Sequence, residues 1–135
     1  MPAPINKKIN RRYTDIDMDL LVHPHTNDIV GRYDTSAING ALQNIVKTKK
    51  GERVFNPDFG SHVYKSLFEP MSSVTRITLE AQIENAVTTQ EPRINLQQVS
   101  VKANADQNRY EVSIFYTPIN ETEIVQLDFF LNRLR

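Results

Sequence analysis

The hydrophobic pattern changes period once along the chain. Between Thr35 and Thr89 apolar residues recur every three or four positions, and beyond Glu91-Pro92-Arg93 they recur every second one. Val99, Val101 and Ala103 alternate with Ser100, Lys102 and Asn104; ADQN follows; then Tyr110, Val112, Ile114 and Tyr116 alternate with Glu111, Ser113 and Phe115. A period of two puts alternate side chains on opposite faces, so this stretch predicts an antiparallel hairpin closed by the polar turn. After TPINETE a last strand runs from Ile124 to about Leu131. Its adjacent Phe129 and Phe130 predict either burial on both faces or an edge that a partner covers.

The helical part reads in three pieces. Ile38, Leu42 and Ile45 form one stripe behind a cap from Asp34 or Thr35, and the helix stops near Lys49-Lys50, before Gly51. Gly40 costs that helix about 1 kcal/mol relative to alanine, which marks it as a place where another backbone approaches. Ser61 is a candidate cap for a short helix carrying Val63, Leu67 and Phe68, closed by Glu69-Pro70. Ser72 or Ser73 begins the longest helix, to about Thr89, with Val74, Ile77 and Ala81 on one side and Leu79, Ile83, Ala86 and Val87 on the other. Two apolar sides need two packing partners: the sheet, and either the first helix or another chain. Helices followed by a meander predict an α+β fold, with N-terminal helices packed on a C-terminal three-stranded antiparallel sheet in a two-layer single domain.

Before the helices, DMDLLVHPHTNDIVGRYD has two short apolar runs around the turn-rich PHTND, which predicts a small hairpin or a pair of extended segments. Residues 1–12, with Lys7, Lys8, Arg11 and Arg12, read as a basic N-terminal arm, leaving 13–135 as the domain. Between the first two helices, Asn56-Pro57-Asp58 and Gly60 are turn chemistry, and Val54, Phe55 and Phe59 are the expected apolar anchors of a packed loop.

Composition narrows the function. The 135 residues carry 16 basic and 16 acidic side chains, so no global field steers nucleic acid or an anionic membrane toward the chain. A local cluster at Lys47, Lys49, Lys50 and Arg53 reads as a solvated or protein-facing patch. Without cysteine there are no disulfides, thiolate chemistry or sulfur-ligated metals, which fits folding in the cytosol. No apolar run approaches the roughly 18 residues of a membrane span, and MPAPINKKINRRY lacks a signal peptide's apolar segment.

The catalytic candidates are sparse. His23 and His25 could face one metal from a strand, but Pro24 and Thr26-Asn27 favour a turn and no third ligand is identifiable. His62 has no nucleophile triad legible around it. Asp15, Asp17, Asp19, Glu52, Asp58, Glu69 and Glu91 could supply on paper the acid and nucleophile of a glycosidase, which must stand about 5–9.5 Å apart. Phosphate loops, dinucleotide fingerprints and calcium loops are absent, and Tyr110, Phe115 and Tyr116 lack the interleaved basic residues of a base-stacking platform. No cofactor is expected.

Glu91-Pro92-Arg93 is the most informative short element. Pro92 drives Glu91 out of the helical region and sets the exit toward the sheet. Glu91 and Arg93 are then either two ordinary charges on a turn or a clamp, in which the guanidinium fork holds a carboxylate or backbone carbonyls of this chain or a partner.

Taken together these residues resemble the small wedge proteins of contractile phage-tail baseplates, a family also found in type VI secretion baseplates. GERVFNPDFGS, with Gly51, Arg53, Phe55, Pro57, Phe59 and Gly60, is similar to the family's glycine-arginine-aromatic loop. LFEP, with Leu67, Phe68 and Glu69, matches the segment after it, and Glu91, Pro92 and Arg93 match the glutamate-proline-arginine signature. The resemblance implies a non-enzymatic structural protein of the virion's tail baseplate, assembled in the host cytoplasm. It also implies partners: other wedge proteins, the contractile sheath subunit and tube or hub proteins, with six copies per baseplate and sheath nucleated by strands added to the sheet edge. The alternatives are a peptidoglycan-cleaving muramidase-like enzyme, and the equivalent subunit of a type VI secretion or tailocin baseplate.

Overall fold

The computed structural model describes residues 13–119 and 121–134; the expected basic arm, residues 1–12, lies outside the described residues. The elements are β1 (Thr14–Ile16), β2 (Gly31–Tyr33), α1 (Thr35–Lys47), α2 (Val63–Ser66), α3 (Ser73–Gln90), β3 (Ile94–Asn104), β4 (Arg109–Pro118) and β5 (Val125–Asn132). The chain divides into two compact units between Ile38 and Asn39, within α1.

The first unit is an antiparallel ribbon. β1 pairs with β2, Asp15 opposite Arg32, and a further bridge joins Val22 to Ile29 around the Pro24–Asn27 turn. Arg32 Nε and Nη2 both bind Asp17 Oδ1, at 2.8 and 2.7 Å, which ties the two arms. The hairpin expected around PHTND is therefore present, yet it buries little: Ile16, Met18, Leu20, Leu21 and Val22 are 57–61% exposed. Asp34, at φ 49°, is the hinge into α1, and its carbonyl accepts the first helical bond from the Ile38 N–H at 3.0 Å.

In the second unit β3, β4 and β5 form an antiparallel meander in that order. The register sets Val101 opposite Val112, and Val112 opposite Phe129, so one face of all three strands is apolar. That face is buried with Leu42, Ile45 and Val46 of α1 and Leu79, Ile83 and Val87 of α3, each at most 2% exposed. α3 packs along β3. The Tyr116 hydroxyl donates to Asn39 Oδ1 at 2.6 Å, a polar tie between α1 and β4 spanning 77 positions of sequence. Burial, and secondarily the nearby carboxylates Glu121 and Glu91, push that phenol up to about 12.

Four expectations are corrected or resolved here. Ser61 does not cap α2; His62 holds that position without a side-chain cap, and the Ser61 hydroxyl instead donates to the Val46 carbonyl at 2.7 Å. Only one side of α3 is covered: Val74 and Ile77 are 71% and 56% exposed, because the second layer reaches one side alone. Ser72 does cap α3, its hydroxyl accepting from the Thr75 N–H. The last strand is an edge strand with ordinary alternation, Phe129 inward and Phe130 outward beneath the Arg109 guanidinium at 3.8 Å.

Candidate functional site

The loop from Lys49 to Ser61 leaves α1 and returns to it. Gly60 sits at φ +109°, and a Cβ there would collide with the Thr48 carbonyl oxygen, so only glycine lets the chain pass this close to the end of α1. Gln90, the last residue of α3, bonds both backbone groups of Gly60: its Oε1 accepts from the N–H at 2.8 Å and its Nε2 donates to the carbonyl at 2.6 Å. Ser61 adds an N–H to the Thr48 carbonyl at 2.9 Å. Two helix ends thus share one glycine, and the base of the loop is fixed on both sides.

Further out, Gly51 at φ +86° turns the chain, and its N–H donates to the Pro57 carbonyl at 2.8 Å. Glu52 folds back to accept the Lys49 N–H at 3.0 Å. The Arg53 guanidinium lies 4.4 Å from the centre of the half-buried Phe59 ring, so Arg53 stiffens the loop. Phe55 is the correction to the anchor reading: it is 99% exposed, and Val54 is 85% exposed. The hydrogen-bonded frame and the Arg53–Phe59 contact order the loop without needing Val54 or Phe55, and an ordered loop with an apolar tip in solvent presents that tip outward.

Beyond α2, Leu67 is buried and its carbonyl accepts the Leu134 N–H at 2.9 Å. Phe68 is half exposed and meets Tyr64 edge to face at 5.1 Å. The side chain of Glu69 is exposed while its carbonyl accepts from Arg133 Nε at 3.2 Å. The segment is pinned by the end of the chain, through backbone groups rather than through its charges.

At the exit of α3 the clamp closes within the chain. Arg93 Nε donates to Glu91 Oε1 at 2.7 Å and Nη2 to Oε2 at 2.8 Å, while the Arg93 N–H reaches Oε1 at 3.3 Å. The Glu91 side chain is 4% exposed and that of Arg93 30%. Pro92 is exposed between them and holds the turn that lets a residue pair two positions apart meet fork to fork.

The other chemical candidates are dispersed. Asp17 is tied to Arg32, Glu91 to Arg93, and Glu52 to a backbone amide. A cavity between the loop and α3 is lined by Lys50, Asp58, His62, Gln82, Asn85 and Gln90 among others, with a single carboxylate, which does not make a glycosidase pair. His23 and His25 are exposed, with ring centres 5.8 Å apart. Gln90, Ser61 and Asn39 organise the site. Ser61 is marked in sequence as a helix cap and by the end of GERVFNPDFGS, and Gln90 by its place immediately before Glu91-Pro92-Arg93, while Asn39 has no sequence signal.

A fixed connector, an intrachain ion-pair clamp and an open-edged meander define a class: a structural assembly protein, whose polar groups hold backbone in place. The family profile described as baseplate wedge protein gp25 matches residues 33–122. The baseplate wedge protein gp25 of Enterobacteria phage T4 is 33% identical over 118 residues, which cover 87% of this chain and 89% of that protein. The chain belongs to the baseplate wedge protein gp25 family. A crystal structure from Geobacter sulfurreducens, under the provisional description of tail lysozyme, superposes with TM-score 0.68 at 26% identity, covering 73% of this chain and 89% of that one. A chain of the anti-feeding prophage baseplate shares the fold alone, with TM-score 0.62 at 15% identity over 91% of this chain and 87% of that one.

Proposed function

We propose that this structural protein of the tail baseplate works through two separate surfaces. The ordered Lys49–Ser61 loop, with Phe55 at its tip, meets other wedge proteins, and the sheet edge receives strands from contractile sheath subunits and so nucleates the sheath. The observation that carries the second role is the open outer edge of β5: no backbone hydrogen bond joins it to another described segment. Unpaired edge groups are a template for an added strand. An exposed aromatic at the tip of a hydrogen-bonded loop supports the first role, because little backbone freedom is left to lose on docking. Glu91 and Arg93 act indirectly, by setting the angle at which the meander leaves α3. Six copies stand in each baseplate, against the tube or hub on the inner side, and residues 1–12 serve as a basic arm to the 13–135 domain.

Reconstitution of tails with Phe55→Ser tests the division of labour. Wedge assembly should fall at least tenfold while the purified protein keeps its unfolding midpoint. Normal baseplates from Phe55→Ser would remove the loop from the interface.

A further inference from the structure

The β1–β2 ribbon leaves a run of apolar residues in water: Ile16, Met18, Leu20, Leu21, Val22 and Ile29 are 46–61% exposed. The backbone beneath them is nevertheless tied. The Asp17 N–H donates to the Val30 carbonyl at 3.1 Å, the Val30 N–H to the Leu21 carbonyl at 2.8 Å, and the His23 N–H to the Asp28 carbonyl at 2.8 Å. Apolar side chains clustered on an ordered segment mark a surface that something else covers.

The same ribbon is acidic. Residues 13–34 carry Asp15, Asp17, Asp19, Asp28 and Asp34 against Arg32, five negative charges against one positive, hence a side-chain charge of −4. Arg32 is taken by Asp17, while Asp15 and Asp28 accept only the backbone N–H of the next residue, each at 2.8 Å. Among the described residues no basic side chain forms an ion pair with Asp15, Asp19 or Asp28. That charge opposes an anionic lipid surface and calls for a partner that is apolar and cationic together. The chain itself holds such a segment. Residues 1–12 place Ile5 and Ile9 among Lys7, Lys8, Arg11 and Arg12, with no acidic residue, a side-chain charge of +4.

We infer that the basic arm of one copy, residues 1–12, docks on the β1–β2 ribbon of a second copy. The direction of the chain argues for a second copy. The Tyr13 N–H donates to Asp34 Oδ1 at 3.2 Å and the Asp34 N–H to the Tyr13 carbonyl at 2.8 Å, which closes the base of the ribbon. β1 enters at that base and runs toward the Pro24–Asn27 turn, so the residues before it meet their own apolar run only by reversing direction. Twelve residues span at most about 40 Å, which sets how far away the second copy can stand. An arm given to one neighbour and a ribbon offered to the other make a head-to-tail contact, which is satisfied throughout only in a closed ring. The inference does not depend on the roles of the loop or the sheet edge, and either can fail without the other.

The chain contains no cysteine, so an introduced one is the sole thiol. Thr14→Cys and Thr26→Cys stand at the base and the tip of the ribbon, both at exposed positions. Full-length protein carrying either would be labelled with benzophenone maleimide and mixed with isotopically heavy full-length protein. The mixture would then be assembled into baseplates with the other wedge proteins of the same tail and irradiated. The expected product joins a light and a heavy copy, with the ribbon cysteine linked to residues 1–12 of the heavy one. Adducts to residues 1–12 of the same chain, adducts to another wedge protein, or no adduct from baseplates that assemble normally each overturn the inference. Charge reversal supplies a second reading. Lys7→Glu with Lys8→Glu in the heavy copy should lower the yield of joined pairs at least fivefold, and Asp15→Lys with Asp19→Lys in the labelled copy should restore it; no recovery overturns the charge match. Leu21→Ser should also lower the yield at least fivefold with an unchanged unfolding midpoint. Binding of the full-length protein to phosphatidylglycerol vesicles, lost in Leu21→Ser, would give the ribbon to lipid and overturn the inference.

Discussion

Two antiparallel ribbons in this protein start from similar local sequence and end in opposite environments. The β1–β2 ribbon is rich in Ile, Leu and Val and leaves them in water; the β3–β5 meander places an equally apolar set inside. Strand pairing accounts for neither outcome, since both ribbons are laddered. The difference is the second layer. α1 and α3 cover one face of the meander, whereas the ribbon is held by its ladder and by the Asp17–Arg32 pair. Apolar area removed from water contributes roughly 25 cal/mol per Å², so a ribbon whose leucines stay exposed gains little from them.

This contrast can be broken at several points. The largest expected effect is at the clamp on the meander's entrance. Arg93→Ala leaves the Glu91 carboxylate buried and unpaired and should destabilise by about 3–5 kcal/mol. Glu91→Ala should cost less, because Arg93 is 30% exposed and turns toward water. Denaturant unfolding of both variants reads the order, and the reverse order would mean that the carboxylate is not the confined partner.

Next comes a matched pair of truncations. Ile114→Ala, in the meander, should cost about 2–5 kcal/mol, while Leu21→Ala, in the ribbon, should stay within about 0.5 kcal/mol. If Leu21→Ala approached Ile114→Ala in isolated protein, the ribbon would have a covering layer after all.

Within the meander two tyrosines sharpen the point. Tyr116 donates to Asn39, whereas the Tyr110 hydroxyl is buried without a hydrogen-bond partner. Tyr116→Phe should therefore cost about 1 kcal/mol at neutral pH, and Tyr110→Phe should be neutral or stabilising. Linkage gives a second readout. With its folded value raised from 10.0 to about 12, Tyr116 stays protonated in the folded chain while the unfolded chain ionises. Its contribution is complete below about pH 10 and is lost as pH rises through about 12. Tyr116→Phe should flatten the alkaline limb of the stability curve over that window; an unchanged limb would count against the buried phenol.

The smallest global effect belongs to Arg32→Ala. It should speed amide exchange across the ribbon, residues 14–33, while moving the global unfolding free energy by under about 1 kcal/mol. Exchange confined to global unfolding would show that the ribbon opens only with the rest.

Much of the fold was legible because its signals are local. The period-two alternation of Tyr110 to Tyr116, the Ser72 cap and the Ile38–Leu42–Ile45 stripe each report on neighbours within a few residues, and each stands where expected. Gly60 could be read as turn chemistry, but the carbonyl of Thr48 that forbids a side chain there could not. Gln90's double bond to Gly60 links positions 30 apart with no residue type that announces it. Val54 and Phe55 are apolar yet exposed, because burial depends on a surface supplied from elsewhere in the fold.

The sequence by itself therefore determined the elements, their order and the family, since periodicity, caps and short motifs are encoded in residues close along the chain. Tertiary structure alone decided which apolar faces are covered, that Glu91 and Arg93 close on each other across the turn, and that Glu80 binds an edge amide of β3. Those outcomes depend on distances between residues far apart in sequence, and on a desolvation that only the packed layers impose.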